Sequence, residues 1–171
     1  MDGSVVRAHQ HAAGASGSDA ESEALGYSKG GFSTKIHLRC EGKGKPVTFL
    51  LTVGERNESV MFEALMEQGE VKREGRGRPR IRPQRVAADK GYTGGPIRLY
   101  LRRRGIGAVI SRRSNQSRQG VRFDRQAYRE RNHIERTINR LKQFRRIATR
   151  YEKRAENYLA MLTIAAILLW V

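Results

Sequence analysis

Three carboxylates in this chain stand among arginines and lysines at the ends or on the faces of ordered segments, where a divalent cation would use them. Asp2 precedes Gly3-Ser4-Val5-Val6, Asp89 closes the apolar run Arg85-Val86-Ala87-Ala88, and Glu135 falls inside a helical pattern, with separations of 87 and 46 residues. Magnesium takes carboxylate oxygens and keeps several waters, and phosphoryl transfer on paired ions about 3.5 to 4 Å apart needs a few such acids. Taken singly, each acid reads first as a surface ion-pair partner.

The helical pattern around Glu135 adds to this. At roughly 100° per residue, Tyr128, Arg131, Glu135 and Lys142 share an arc of about 60°, and Ala127, Ile134, Ile138 and Leu141 form the adjoining apolar stripe. One stripe can pack on a sheet while its neighbour presents a ring, two cations and an acid in a line, an arrangement that suits a nucleic-acid strand crossing a metal. The same spacing also fits an amphipathic helix with an Arg131 to Glu135 pair at i, i+4.

Charge narrows the partner class. The 171 residues carry 34 Lys+Arg against 17 Asp+Glu, a net charge of +17. Residues 1–70 hold 7 basic and 10 acidic side chains, whereas residues 71–171 hold 27 and 7. So concentrated an excess points to a polyanion, with nucleic acid ahead of an anionic membrane surface. The uncharged run from Tyr158 to Val171 has fourteen residues, short of the roughly 20 needed for a bilayer, and reads as a buried terminal helix. The first residues have no signal-peptide pattern, so a cytoplasmic protein is expected. A single cysteine, Cys40, excludes an intramolecular disulfide and any Cys-rich zinc module, and reads as packing. His9, His11, His37 and His133 lack metal-ligand spacing, although His133 neighbours the acid line.

These residues need elements to position them. Phe32, Thr34, Ile36, Leu38 and Cys40 alternate with Ser33, Lys35, His37 and Arg39, which predicts a half-buried strand; Glu41 to Pro46 is turn chemistry and Val47 to Val53 the returning strand of an antiparallel hairpin. His11 to Gly31 reads as a loop with a short helical turn, and Gly30-Gly31 as a tight turn. A helix through Val60, Met61, Ala64 and Leu65 ends near Gly69. Residues 72–85 carry seven basic side chains and one acid among Gly75, Gly77, Pro79 and Pro83, an exposed basic loop whose Arg76, Arg78, Arg80 and Arg82 would meet a DNA backbone or remain a solvated linker. Strand Arg85 to Asp89, a helix from Pro96 to Arg104 and strand Ile106 to Ile110 follow. Seven arginines without an acid between Arg98 and Arg118, Arg112 and Arg113 among them, make a second basic surface. A long helix from about Gln126 to Thr149 and a last one from about Ala155 complete an α/β chain with a mixed sheet flanked by helices.

The run Tyr128-x2-Arg131-x3-Glu135-x6-Lys142 resembles the signature of bacterial insertion-sequence transposases of the acid-triad (DDE) class. Asp2-Gly-Ser-Val-Val-Arg-Ala-His, Gly26-Tyr-Ser-Lys-Gly-Gly-Phe-Ser-Thr-Lys-Ile-His, Ala88-Asp-Lys-Gly-Tyr92 and Tyr128-Arg-Glu-Arg-Asn-His-Ile-Glu-Arg136 are similar to that family's blocks, in order and over nearly the whole chain. The resemblance implies a ribonuclease-H-like fold in which the hairpin and later strands form one mixed sheet. It implies that Asp2, Asp89 and Glu135 bind two Mg²⁺, with Mn²⁺ as a substitute, and that Tyr128, Arg131 and Lys142 engage the element's end. It implies metal-dependent cleavage and strand transfer on double-stranded DNA at element ends and target, and a dimer during synapsis. No protein nucleophile is required, so Ser4, Ser28, Ser111 and Cys40 receive no catalytic role. With the first acid at residue 2, residues 1–171 are expected to be a single catalytic domain whose first central strand is truncated and whose end-recognition region is absent. An upstream-frame transposase segment would then be a partner. A basic DNA-binding or regulatory fragment without catalysis, or a related nuclease that releases its product, are the alternatives.

Overall fold

A computed structural model describes residues 1–171 apart from 15, 16, 18, 20, 29, 72–74 and 113–122. Its strands are β1 (Asp2–Ala8), β2 (Gly26–Ser28), β3 (Gly31–Cys40), β4 (Pro46–Val53), β5 (Arg85–Ala88), β6 (Gly107–Ile110) and β7 (Thr149–Arg150). The helices are α1 (Phe62–Glu67), α2 (Gly95–Arg103), α3 (Arg125–Arg129), α4 (Asn132–Lys142), α5 (Arg145–Ala148) and α6 (Ala155–Trp170). The chain is mixed α/β, with a mixed sheet flanked by helices. Antiparallel β2, β3 and β4 join β1, which runs antiparallel to β3 and parallel to β7.

The expected hairpin is present, with β3 and β4 paired from Thr34↔Val53 to Cys40↔Pro46 and a bulge at Arg39/Cys40. The strand that carries Asp2 begins there and keeps seven residues, six of them in register with β3 from Asp2↔Leu38 to Arg7↔Ser33. Strands β2 and β7 were not legible in the sequence, being three and two residues long. Strands β5 and β6 form their own parallel ribbon rather than continuing the larger sheet. The two ladders meet at Met1, whose amino nitrogen donates to the Ala87 carbonyl at 2.7 Å.

Apolar residues fall on both faces of the sheet. Ile36, Leu38, Phe49 and Val6 pack with Ile134, Ile138, Leu141 of α4 and Tyr158, Leu162 of α6. On the other side Phe62, Leu65 and Met66 of α1 pack with Val86, Ala88, Tyr92, Ile97, Leu101 and Ile110. Each such side chain contributes about 1.5 to 3 kcal/mol when taken from water.

Because both faces are covered, β3 is not the half-buried strand that its alternation predicts. His37 is fully buried, with its Nε2 2.8 Å from Thr52 Oγ1, and Arg39 is nearly so. The Arg39 guanidinium donates to the carbonyls of Leu65, Met66, Gln68 and Ile81 at 2.7 to 3.2 Å. It thereby ties the end of α1 and the basic segment to β3.

Burial, with the Lys35 charge adding to it, pulls the His37 imidazole down from 6.5 to about 4. A base depressed in the folded state adds stability above its unfolded value and loses it as pH falls through the folded one. Wild type is therefore expected to lose roughly 2 kcal/mol of urea stability from pH 7 to pH 4 relative to His37→Gln, which keeps a polar partner for Thr52 and does not titrate. Equal pH profiles for the two proteins would refute this.

The long helix is broken. Glu130 and Arg131 stay helical in backbone angle, but hydrogen bonds from the Arg131, His133 and Ile134 amides run i to i−3, a tightened turn between α3 and α4. Phe144, at ψ 114°, then ends the helix, and α5 leads into β7. That break brings Arg150 beside β1, where it is fully buried. The predicted apolar stripe does face the core: Ala127, Ile134, Ile138 and Leu141 are all buried.

Helix α6 is covered on one side only. Tyr158, Leu162, Ala165 and Ala166 face inward, and Ile164, Ile167 and Leu168 are more than half exposed. Beyond Thr163 the sequence is wholly apolar and hides this two-sidedness, since no polar residue marks the outer face there. Among the described residues no helix is long and apolar enough to cross a membrane.

Candidate active site

Asp2 opens β1 and faces the α4 side of the sheet, the side of its register partner Leu38. Its Oδ1 accepts from the Gly3 amide at 2.9 Å, and its Oδ2 lies 3.5 Å from an Arg131 terminal nitrogen. Burial raises the Asp2 carboxyl above the usual carboxylate range; the Gly3 amide and Arg131 work against that, and Asp89 adds to it.

Asp89 follows β5 directly. Its Oδ1 accepts from the Gly91 amide at 2.7 Å and closes a 3₁₀ turn over Lys90–Tyr92, so the acid is fixed at the strand end by its own chain.

Arg131 stands at the α3–α4 junction, one helical turn before Glu135. Its guanidinium ion-pairs with Glu135 and with Asp2 together. Burial opposes the Arg131 charge, but the two acids overcome this and hold its proton more tightly than usual. One guanidinium thus gathers the acid of β1 and the acid of α4, while Asp89 acts on Asp2 from the end of β5. The i, i+4 pair expected of an ordinary helix surface is present and is part of this cluster. Among the described residues, no three acidic, His or Cys side chains are close enough to hold a metal ion as they stand.

A fourth acid, Glu58, reaches the cluster from the 3₁₀ turn Glu58–Met61 after β4, and sequence reasoning missed it. A Cβ on Gly3 would lie 2.7 Å from Glu58 Oε1, and one on Gly91 would lie 2.9 Å from both Glu58 Oε2 and Asp89 Oδ1. The available signal was the glycine one residue beyond Asp2 and two beyond Asp89: both keep space clear for this carboxylate. Burial and the Asp89 charge, with Asp2 behind them, raise the Glu58 carboxyl against the pull of Lys35, whose Nζ is 3.8 Å away.

The expected DNA-contacting residues divide by location. Tyr128, half-buried, packs its ring 5.2 Å from that of Phe123 and 5.6 Å from the Arg131 guanidinium, with its hydroxyl 3.4 Å from Ser111 Oγ. Arg80 and Arg82 line the same cavity of about 420 Å³ as Arg131, between β5, the end of β3 and the α3–α4 junction. Arg76 and Arg78 are exposed on the basic segment outside that lining. Lys142 lies at the far end of α4, roughly 15 Å along the axis, and donates to the Val5 carbonyl at 3.1 Å. Burial lowers its ammonium. Arg112 follows β6, and its charge, after burial, lowers the Arg98 guanidinium; Arg113 lies outside the described residues. Cys40 also lines the cavity, but burial pushes its thiol up to about 12, which leaves it inert as a nucleophile.

Comparison with known proteins gives the family of the chain. The family model described as "Transposase DDE domain" matches residues 1–170. The chain belongs to that family. A protein named "Putative transposase for insertion sequence element IS402", from Burkholderia cepacia, is 32% identical over 136 residues, 80% of this chain and 62% of that protein. This DDE-family chain thus spans less than two thirds of that relative's length. No solved structure matches it significantly. The acid-triad insertion-sequence class that the sequence blocks resemble is the class to which the chain is assigned.

Proposed function

We propose that this DDE-family chain is the catalytic part of a transposase that cleaves DNA at the ends of an insertion sequence and joins them to a target. The observation that carries the reading is the meeting of Asp2 and Glu135 on one guanidinium, beside Asp89 and next to a cavity lined by Arg80 and Arg82. The donors are all carboxylate oxygens, the type a hard divalent cation takes, and among the described residues three of them would have to draw closer than they stand to hold one. Asp2, Asp89 and Glu135 would hold Mg²⁺ or Mn²⁺, which when bound supplies charge for a developing phosphorane and an activated hydroxyl.

The protein residues have their own work. Arg131 balances Asp2 and Glu135 in the free protein; an arriving phosphate competes for the same guanidinium and frees both acids. Tyr128, beside it, offers a ring face to an unpaired base. In cleavage, a water oxygen bonds to phosphorus and the 3′ oxygen of the element's end leaves as a hydroxyl; in joining, that 3′ oxygen bonds to a target phosphorus and displaces a target 3′ oxygen. Each step exchanges one P–O ester bond for another bond to phosphorus, so no nucleotide or protein nucleophile is consumed. Two copies would act on paired ends.

The test is metal-dependent nicking and strand transfer on DNA carrying the element's own ends, with DNA binding measured separately. Joined product supports transposition. Cut ends without joining would mean a nuclease, and binding without cutting a basic DNA-binding fragment.

Arg80 and Arg82 also make a separate expectation. Replacing both with alanine should lower the slope of log Kd against log salt by about 2, close to one for each phosphate no longer neutralised, whatever the DNA sequence. An unchanged slope would remove the basic segment from the interface.

A further inference from the structure

Helix α6 meets the sheet with Tyr158, Leu162, Ala165 and Ala166 and turns a second apolar face outward. On that face Ala160, Ile164, Ile167 and Val171 follow one another at intervals of four, three and four residues, with Leu168 beside them. This is the spacing that keeps an apolar seam in line against another helix, whereas a helix face turned to water is ordinarily polar. Ile164, Ile167 and Leu168 are each more than half exposed, and Val171 is fully so. At roughly 100 Å² of exposed apolar surface apiece, with Ala160 adding to them, they make a patch of about 500 Å², a size at which a surface patch marks an interaction site.

The face is held in shape before any partner arrives. Trp170 donates from its indole nitrogen to the Pro46 carbonyl at 2.7 Å, and Lys45 donates from Nζ to the Trp170 carbonyl at 2.9 Å while lying 5.0 Å over the indole ring. The last turn of α6 is thereby clamped to the β3–β4 turn, with a cation at its carbonyl end. Thr163, at the edge of the seam, returns its hydroxyl to the Leu159 carbonyl at 2.9 Å, which gives that proton an acceptor within the helix. A surface already ordered loses little conformational entropy on docking. Charge is confined to the start of the helix, where Lys153, Arg154 and Glu156 are exposed; no charged side chain occurs from Asn157 to Val171.

We propose that this face is a self-association surface, through which two copies of the chain pair in the absence of DNA with their α6 helices antiparallel. A twofold pairing buries the patch of each copy, about 1,000 Å² together, which reaches the lower limit of a specific interface. The seam also complements itself. Antiparallel helices set Ile164 against Ile167 of the second copy and Ala160 against its Val171, so that every large residue on the seam has an apolar neighbour across it. A parallel pair would instead bring Lys153 and Arg154 of both copies together and align the two helix dipoles; the antiparallel pair separates the charges and opposes the dipoles. None of these residues belongs to the acid cluster or to the cavity beside it, so the inference goes beyond the transposition chemistry and does not depend on it.

The test is sedimentation velocity of the full chain without DNA between about 1 and 100 µM, the range in which an interface of this size dissociates, with thermal melts at the lowest concentration. Wild type should show a monomer–dimer equilibrium. Ile164→Lys and Ile167→Lys should each raise the dimer Kd at least tenfold, and Val60→Lys, at an equally exposed apolar residue away from α6, should match wild type. The substituted positions are exposed, so the melts should stay within about 2 °C of wild type. Ile167→Ala, which introduces no charge, should weaken pairing by a smaller factor and decides the matter if a lysine variant melts lower. Raising salt from about 0.1 to 0.5 M should not weaken the dimer, because the face is apolar and the net charge of the two copies is repulsive. Under a mild oxidant, a mixture of Ile164→Cys and Ile167→Cys chains should form a cross-link that neither forms alone, with wild type, which carries only Cys40, as the blank. A wild type that stays monomeric throughout, a dimer that survives both lysine substitutions or falls apart in salt, or open-ended aggregation without a discrete dimer would each overturn the proposal. Cross-linking of Ile164→Cys chains with one another would make the pair parallel and overturn the arrangement.

Discussion

Glu135→Gln is expected to reduce strand transfer on the element's own ends by roughly a thousandfold or more, with DNA affinity within about twofold of wild type. The size of the effect separates the two things this acid could be. As a surface partner of Arg131, with its side chain 43% exposed, Glu135 contributes at most about 1 kcal/mol to stability. As a holder of catalytic metal, its loss removes a charge at the reacting phosphate, and a thousandfold rate loss corresponds to about 4 kcal/mol of transition-state stabilisation. The amide keeps the shape of the side chain and a hydrogen-bond acceptor for Arg131, so the fold should survive. Product formation under saturating DNA, with a melt and a binding isotherm on the same preparation, is the check. Activity within tenfold of wild type would return Glu135 to the helix surface.

The largest loss of stability is expected at Arg150, far from any acid of the site. Its guanidinium is fully buried and donates from Nε to the Glu152 carbonyl, from one terminal nitrogen to the Glu23 carbonyl and Thr34 Oγ1, and from the other to the Lys153 carbonyl, all at 2.8 or 2.9 Å. It stands 5.5 Å over the Tyr158 ring. Thr34 passes the network on by donating to the Ala24 carbonyl at 2.7 Å, and Ala24 is a non-glycine residue at φ 51°, a conformation that these bonds hold in place. Arg150→Met fits the space but leaves several buried acceptors without donors, and should cost about 3 to 5 kcal/mol in urea unfolding. Arg150→Lys should recover only part of this, since one ammonium cannot span three directions. A loss below about 1 kcal/mol in Arg150→Met would mean that water replaces the guanidinium.

Local pattern carried much of the fold. The two-residue period of β3, the turn residues 41–46 and the apolar run of β4 are a hairpin in any context, because short-range backbone geometry decides it. The stripe of Ala127, Ile134, Ile138 and Leu141 faces the core because helical spacing puts those residues on one side. The residue types and order of Asp2, Asp89, Glu135, Tyr128, Arg131 and Lys142 likewise marked the family, since spacing along a chain needs no coordinates.

What only the tertiary structure decided are the contacts between segments distant in sequence. Strands of two or three residues such as β7 and β2 carry too little pattern to be read, and exist because β1 and β3 offer edges to pair with. His37 and Arg39 look like the outer face of a half-buried strand until α1 covers them. Glu58 is one acid among ten in residues 1–70, and nothing in its neighbours sets it apart. It comes near the other acids because the turn after β4 carries it to Gly3 and Gly91, where two missing side chains leave room for its carboxylate. Chemistry of single residues can be read along the chain; which carboxylates share a charge depends on through-space distance, and that the fold alone supplies.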